Sequence, residues 1–309
     1  MRVRATAVAV SGVLALSAFA VPAAYAAGDS ADGLGTSPTW AAAVSAGTGP
    51  SAFSAATAAD ATVANPDVTF VNMKVNGGKP IVVGATKHVK VPVTYTLKHA
   101  ANLDVTSKTF LNGPFLYYKS MPTSVMEDFK EPVLFGDDAA TCVDTSSTAA
   151  SCKAVIDIKP ADGNLANSLA GTWKVGGLAL QGDVDSEELG QTWQGKLGTV
   201  KVQRQAKLTG ANASPEPVRK GRTITVTSKL TRANWDTNKT PGYAGQPVKL
   251  QFKKKGTSTY KDVKTVKSSS TGALKTTVKA TADGSYRFVF AGSNGTSTAT
   301  SAADAIDVK

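Results

Sequence analysis

The chain is 309 residues long, 42% hydrophobic and 18% charged, with 34 Lys plus Arg against 23 Asp plus Glu and a formal net charge of +11. That length suits two domains with real cores, and the low charged fraction excludes a charge-driven disordered polymer. Two cysteines and two histidines exclude a zinc ribbon, a Cys2His2 finger and an iron–sulfur site.

The N-terminus reads as an export signal. Arg2 and Arg4 precede an apolar run from Ala5 to Val21, and Ala24-Tyr25-Ala26 has the small-x-small form that signal peptidase accepts. Thr6, Ser11, Gly12 and Ser17 interrupt the run, which falls short of the about 20 apolar residues a membrane span needs. Residues 1–26 are therefore expected to be a cleaved signal peptide on the general secretory route. A secreted, extracellular protein without a membrane anchor follows from that. Residues 27–65 are dominated by Ala, Ser, Thr and Gly without any hydrophobic period, which predicts a flexible spacer.

From Pro66 the pattern becomes strand-like. Val89, Val91, Val93, Tyr95 and Leu97 alternate with Lys90, Pro92, Thr94, Thr96 and Lys98, a period of two. Pro92 lacks a backbone donor, so this is expected to be an edge strand. Further strands are expected at 154–158, 171–175 and 199–203. Thr109 to Phe135 is irregular and aromatic, and is expected to form long loops or short strands around a core. Cys142 and Cys152, with nine residues between them, are expected to oxidise outside the cell. They would staple an inserted loop in a domain covering 66–203. A reactive thiol would instead want a C-x-x-C spacing or a partner histidine.

The prolines at 215 and 217 mark a linker at 204–217. Beyond it the alternation is regular: Ile224, Val226, Ser228 and Leu230; Val248, Leu250 and Phe252; Leu274, Thr276 and Val278; Tyr286, Phe288 and Phe290. Turn signals stand between them at Gly221, Lys255-Gly256, Thr271-Gly272 and Asp283-Gly284. Short strands with one apolar face at near-regular spacing describe a β-sandwich over 218–309.

The runs Gln246 to Phe252, Tyr260 to Val266, Ser270 to Leu274 and Asp283 to Gly292 resemble an Ig-like module of secreted actinobacterial proteins. The chain beyond the leader, including Val75 to Gly84, is similar to exported actinobacterial proteins, some of which carry the label calcium-binding. The resemblance implies an all-β chain of two consecutive Ig-like β-sandwich domains after the signal peptide and spacer. It also implies an extracellular setting.

Charge divides unevenly. Residues 205–309 hold 18 basic and 6 acidic side chains, whereas residues 27–204 hold 14 basic and 17 acidic ones. Lys249, Lys253, Lys255, Lys275 and Lys279 occupy outward strand positions and are expected to form one positive face. That face could meet an anionic cell-wall polymer or an acidic protein through weak, salt-screened contacts. Specific nucleic-acid binding would need exposed aromatics among the lysines, and Trp235 and Tyr243 are the candidates.

Carboxylates cluster at Asp137-Asp138 with Asp144, and at Asp183, Asp185 and Glu187. Calcium takes six to eight oxygens, so these residues are its candidate ligands. The second cluster is not an EF-hand, since Glu188 replaces the turn glycine and Gln194 the bidentate glutamate. No cofactor other than calcium is expected. His88 and His99 read as surface residues among lysines. The chain contains no G-x-S-x-G, H-E-x-x-H or P-loop pattern, so no catalytic residues are assigned and a non-enzyme is expected. The sequence reading is thus a secreted monomer that associates with anionic envelope material through its basic domain. The rivals are a calcium-binding protein and a protease inhibitor presenting the Cys142–Cys152 loop.

Overall fold

The computed structural model describes residues 63–125, 129–183 and 189–309. The expected signal peptide, nearly all of the expected spacer, and the candidate ligands Asp185 and Glu187 lie outside the described residues.

The first half contributes β1 (Val68–Val75), β2 (Ile81–Val83), β3 (Val89–His99), β4 (Phe110–Tyr117) and β5 (Val133–Leu134). It continues with β6 (Thr141–Ser146), β7 (Ala149–Ile158), β8 (Gly171–Gln181), β9 (Gly190–Gln194) and β10 (Thr199–Arg204). These build one sheet in the order β1-β3-β7-β6 and another in the order β2-β10-β8-β4-β5, with β9 also paired to β8. Period-two alternation turns one face of each sheet inward. Phe70, Leu97, Ile156 and Ile158 of the first sheet share a core with Ile81, Trp173 and Val202 of the second.

Three expectations change here. Strand β3 is not an edge, because β1 flanks it on one side and β7 on the other. Pro92 is tolerated there because pairing with β1 stops at Val75 opposite Val93, so on that side no ladder reaches the proline. The cysteines do not close an inserted loop; they stand opposite one another on the β6–β7 hairpin and are bonded across it. Residues 109–135 include a full strand, β4, buried on both faces. One face meets the main core, and the other meets a second cluster in which Phe115, Phe135 and Trp193 pack together. The Gly176-Gly177 pair of β8 permits this, since a Cβ at Gly176 would strike the Phe115 ring and one at Gly177 the Phe70 ring.

The second half contributes β11 (Ala206–Leu208), β12 (Asn212–Ser214), β13 (Thr223–Arg232), β14 (Pro247–Lys254) and β15 (Lys261–Lys267). β16 (Ala273–Lys279), β17 (Gly284–Phe290), β18 (Ala299–Thr300) and β19 (Asp304–Ile306) complete it. β11 and β12 pair with one side of β13 and β16 with the other, while the facing sheet runs β15-β14-β17-β18 with β19 also on β17. Ile224, Val226, Leu230 and Leu274 meet Val248, Leu250, Phe288 and Phe290 in a separate core. The chain is thus mostly β, in discrete sheet groups arranged as Ig-like β-sandwiches. Within 204–217, residues 206–208 and 212–214 are strands of the second group.

The two groups meet at a hydrogen-bonded joint. Trp235 is 2% exposed and, with Ala233, completes the core of the first group. Its Nε1–H donates to the Gly84 carbonyl at 2.9 Å. Asn167 donates from Nδ2 to Asn234 Oδ1 at 2.8 Å and accepts the Trp235 N–H at 3.0 Å. The amide nitrogen of Asn238, in the orientation that satisfies its surroundings, lies 3.1 Å from the Ala85 carbonyl and 3.3 Å from that of Pro160.

Two outcomes test this account. Replacing both cysteines by serine should cost about 2–3 kcal/mol, the chain-entropy value for so short a closure, read as a lower denaturation midpoint under oxidising conditions. Trp235→Ala should cost about 3–5 kcal/mol. It should also open Arg204, buried at the joint, to trypsin; unchanged tryptic resistance would contradict the joint.

Candidate functional site

The joint positions a cluster of ionisable side chains. His88 stands just before β3, on the segment that Trp235 and Asn238 hold. Asp157 is on β7 opposite Lys90, between the inward-facing Ile156 and Ile158, and so points to the outer face of its sheet. It is nonetheless buried, and residues 135–138 run beside this end of β7, where the Asp157 N–H donates to the Phe135 carbonyl at 2.9 Å. Gly136 allows the close approach, since a Cβ there would run into the Val155 carbonyl.

His88 Nε2 is 2.5 Å from Asp157 Oδ1, and the Asp137 N–H donates to Asp157 Oδ2 at 2.9 Å. Lys159 Nζ donates to the Asp137 carboxylate at 2.7 Å. That hydrogen bond raises the Lys159 pKa above its ordinary value against the cost of desolvation, with the negative charges of Asp137, Asp157 and Asp162 reinforcing it. One donor atom from each of His88, Asp137 and Asp157 falls within 4.8 Å of the others, an arrangement able to coordinate a metal ion.

Of the expected calcium ligands among the described residues, Asp144 and Asp183 stand apart from the Asp137–Asp138 pair. Asp137 belongs to the cluster above, and Asp138 beside it is exposed. Asp144 is opposite Ala150 on the β6–β7 hairpin, seven residues along β7 from Asp157, or about 23 Å at strand rise. Asp183 follows β8 in the facing sheet. His99 is not a surface residue: its side chain is 3% exposed, with Nδ1 3.0 Å from the Ala100 carbonyl. Its Nε2 lies 3.5 Å from Asp144 Oδ1, inside ion-pair range but without hydrogen-bond alignment. His99 continues the inward parity of Val91 to Leu97, a signal the sequence already contained.

The five candidate lysines divide between two sheets. Lys249 and Lys253 are on β14, with Lys255 just after it, and Lys275 and Lys279 are on β16 in the facing sheet. On the β14 side the three candidate lysines each have a partner. Lys249 is paired to Asp262 at 2.6 Å, and Lys255 lies 3.5 Å from Asp283. The Tyr260 ring takes Arg287 at 3.7 Å and Lys253 at 5.2 Å. On the β16 side, register puts Lys207 opposite Thr231 and Lys275 opposite Thr227, while Thr223 stands opposite Lys279. Lys229 shares the outward parity of those β13 residues, and all four lysines are exposed. None of them is ion-paired to another described residue.

Trp235 and Tyr243 are not exposed stacking platforms. Trp235 is in the joint, and Tyr243 is half-buried edge-on to Phe290 with Arg232 3.8 Å above its ring. A concavity of about 370 Å3 beside β1 and β10 is lined by Lys74, Lys79, Thr172 and Lys201 with no carboxylate or imidazole. No helix among the described residues is long and apolar enough to cross a membrane.

No protein-family model and no curated protein matches the chain. Solved structures do match: a marsupial T cell receptor at 10% identity, covering 80% of this chain and 73% of that one, TM-score 0.29. The Escherichia coli adhesin FdeC matches at 14% identity over 81% and 66% of the respective chains, TM-score 0.28. The Yersinia pseudotuberculosis adhesin InvE matches at 15% over 77% and 58%, TM-score 0.23. The chain spans less than two thirds of both adhesin chains. At such TM-scores these matches carry no argument, and the architecture above rests on the chain's own strand pairing.

Proposed function

We propose that the chain is a non-catalytic, exported binding protein that contacts anionic envelope polymer through the outer face of β11, β12, β13 and β16. The carrying observation is the set of Lys207, Lys229, Lys275 and Lys279, exposed and without a carboxylate partner among the described residues. Across the same face run Thr223, Thr225, Thr227, Thr231 and Thr277, with Asn212 opposite Thr227 and Ser214 opposite Thr225. Cations set among hydroxyl and amide groups suit a polymer that offers both charges and hydroxyls. Each exposed contact is weak and salt-screened, so affinity has to come from repetition along the polymer.

Full-length protein should sediment with purified cell wall at low ionic strength and release steeply as salt rises. A K207Q/K229Q/K275Q/K279Q variant should stay in the supernatant, whereas K249Q/K253Q/K255Q should still sediment. The reverse order between the two variants would refute the assignment of the face.

A further inference from the structure

We propose that His88, Asp137 and Asp157 form a site for one divalent transition metal of the zinc class. The donor set is one imidazole and two carboxylates drawn from three segments: the loop before β3, the loop after β5 and strand β7. Calcium prefers six to eight oxygens, whereas a nitrogen among a few hard oxygens suits zinc-class ions. The charges point the same way. Two carboxylates, one of them nine-tenths buried, face the single ammonium of Lys159 and an imidazole that is neutral whenever its Nε2 is free to coordinate.

Zinc at its usual bond lengths holds neighbouring ligand atoms about 3.3 Å apart. His88 Nε2 and Asp157 Oδ1 now stand at 2.5 Å, so the imidazole has to retreat slightly as the metal enters. His88 has room for that, since its side chain is 36% exposed. A neutral ring coordinates through Nε2 with its single proton on Nδ1, so a proton on Nε2 shifts to Nδ1 by exchange with solvent, or is released if Nδ1 already carries one, and solvent supplies the fourth ligand. Asp157 is held ready by the Asp137 N–H on its other oxygen. Lys159 acts as an internal stand-in cation: its ammonium sits 2.7 Å from Asp137 and, on a side chain 34% exposed, can swing out. Asn238 bridges the carbonyls of Ala85 and Pro160, which lie close in sequence to His88 and Lys159. A metal here ties the two segments that the second sandwich already clamps, and so fastens the joint.

The test is the thermal midpoint of full-length protein stripped with chelator, measured with added Zn2+ and separately with Ca2+. Zinc should raise the midpoint by about 5 °C or more at saturating excess, with a stoichiometry of one and reversal by chelator; calcium should leave it unchanged. H88Q, whose amide can still donate to Asp157, should lose the zinc shift. H99Q should keep it, and K159M should bind zinc about tenfold more tightly, because a competing positive charge is gone. No zinc shift in the wild type, or a shift that survives H88Q, overturns the proposal. A calcium shift equal to the zinc shift overturns the metal class.

Discussion

A single residue, Gln205, separates the last strand of one sandwich from the first strand of the next, and its backbone has to be satisfied by both. Its N–H donates to the Val83 carbonyl in the first group, and its carbonyl accepts from the Ala233 N–H in the second. Arg204 repeats the pattern one residue earlier: it pairs with Val83 in β2 while its own N–H and carbonyl bond Gly295 and Ser297. A buried backbone group left unpaired is costly, so this crossing behaves as continuous strand rather than as a hinge. The Arg204 side chain lies in the same crossing, with Nε donating to the Ala233 carbonyl at 2.7 Å. Burial, and then the neighbouring Arg232, lower its pKa, while Asp236 acts in the opposite sense. A guanidinium keeps its charge under such pressure, which suits arginine to the position better than lysine.

The joint accounts for other placements. Trp235 would be a liability in an exposed loop, but the first core has a vacancy that its ring fills while its N–H finds Gly84. That bond fixes residues 84–88, and the fixed segment holds the His88 imidazole over Asp157. Gln203 contributes from the other side by donating to the Ser293 carbonyl at 2.8 Å. The ionisable cluster on β7 and the apolar seam at Trp235 are therefore not independent features; Asn238 bonds the Trp235 carbonyl and those of Ala85 and Pro160, near His88 and Lys159 in the chain.

Much of the architecture was legible because alternation reports which face of a strand is buried, and β3, β13, β14, β16 and β17 all follow it. Alternation does not say which strands are neighbours. For that reason five outward lysines could be read as one face when β14 and β16 belong to different sheets. Trp235 was misread for a related cause: its neighbours Asp236, Thr237, Asn238 and Lys239 are polar, and its burial comes from the core of the first sandwich, where its ring N–H bonds Gly84, 151 residues away in the chain. Strand β4 shows no clean period because both of its faces are covered. The His88–Asp157 contact joins residues 69 apart and has no local motif. One clue existed, an aspartate between Ile156 and Ile158 in a strand, where an exposed face would more often carry Lys or Thr.

The difference between the two outer faces of the second sandwich limits how its charge can be explained. Lysine on outward strand positions discourages edge-to-edge aggregation and maintains solubility, and that function asks only for net charge. It gives no reason for the faces to differ. Yet around β14 part of the positive charge is engaged: Lys249 by Asp262, Lys255 by Asp283, and Arg287 by Gln251 and Tyr260, while Lys254, Lys261, Lys264 and Lys267 have no ion-pair partner among the described residues. Matching is what a surface exposed only to water tolerates best, because it removes like-charge repulsion at little desolvation cost. On the β13–β16 face four lysines share a sheet surface with threonines and no acid, so their mutual repulsion is left standing. A polyanion laid across that face would relieve the repulsion, whereas solvent merely screens it.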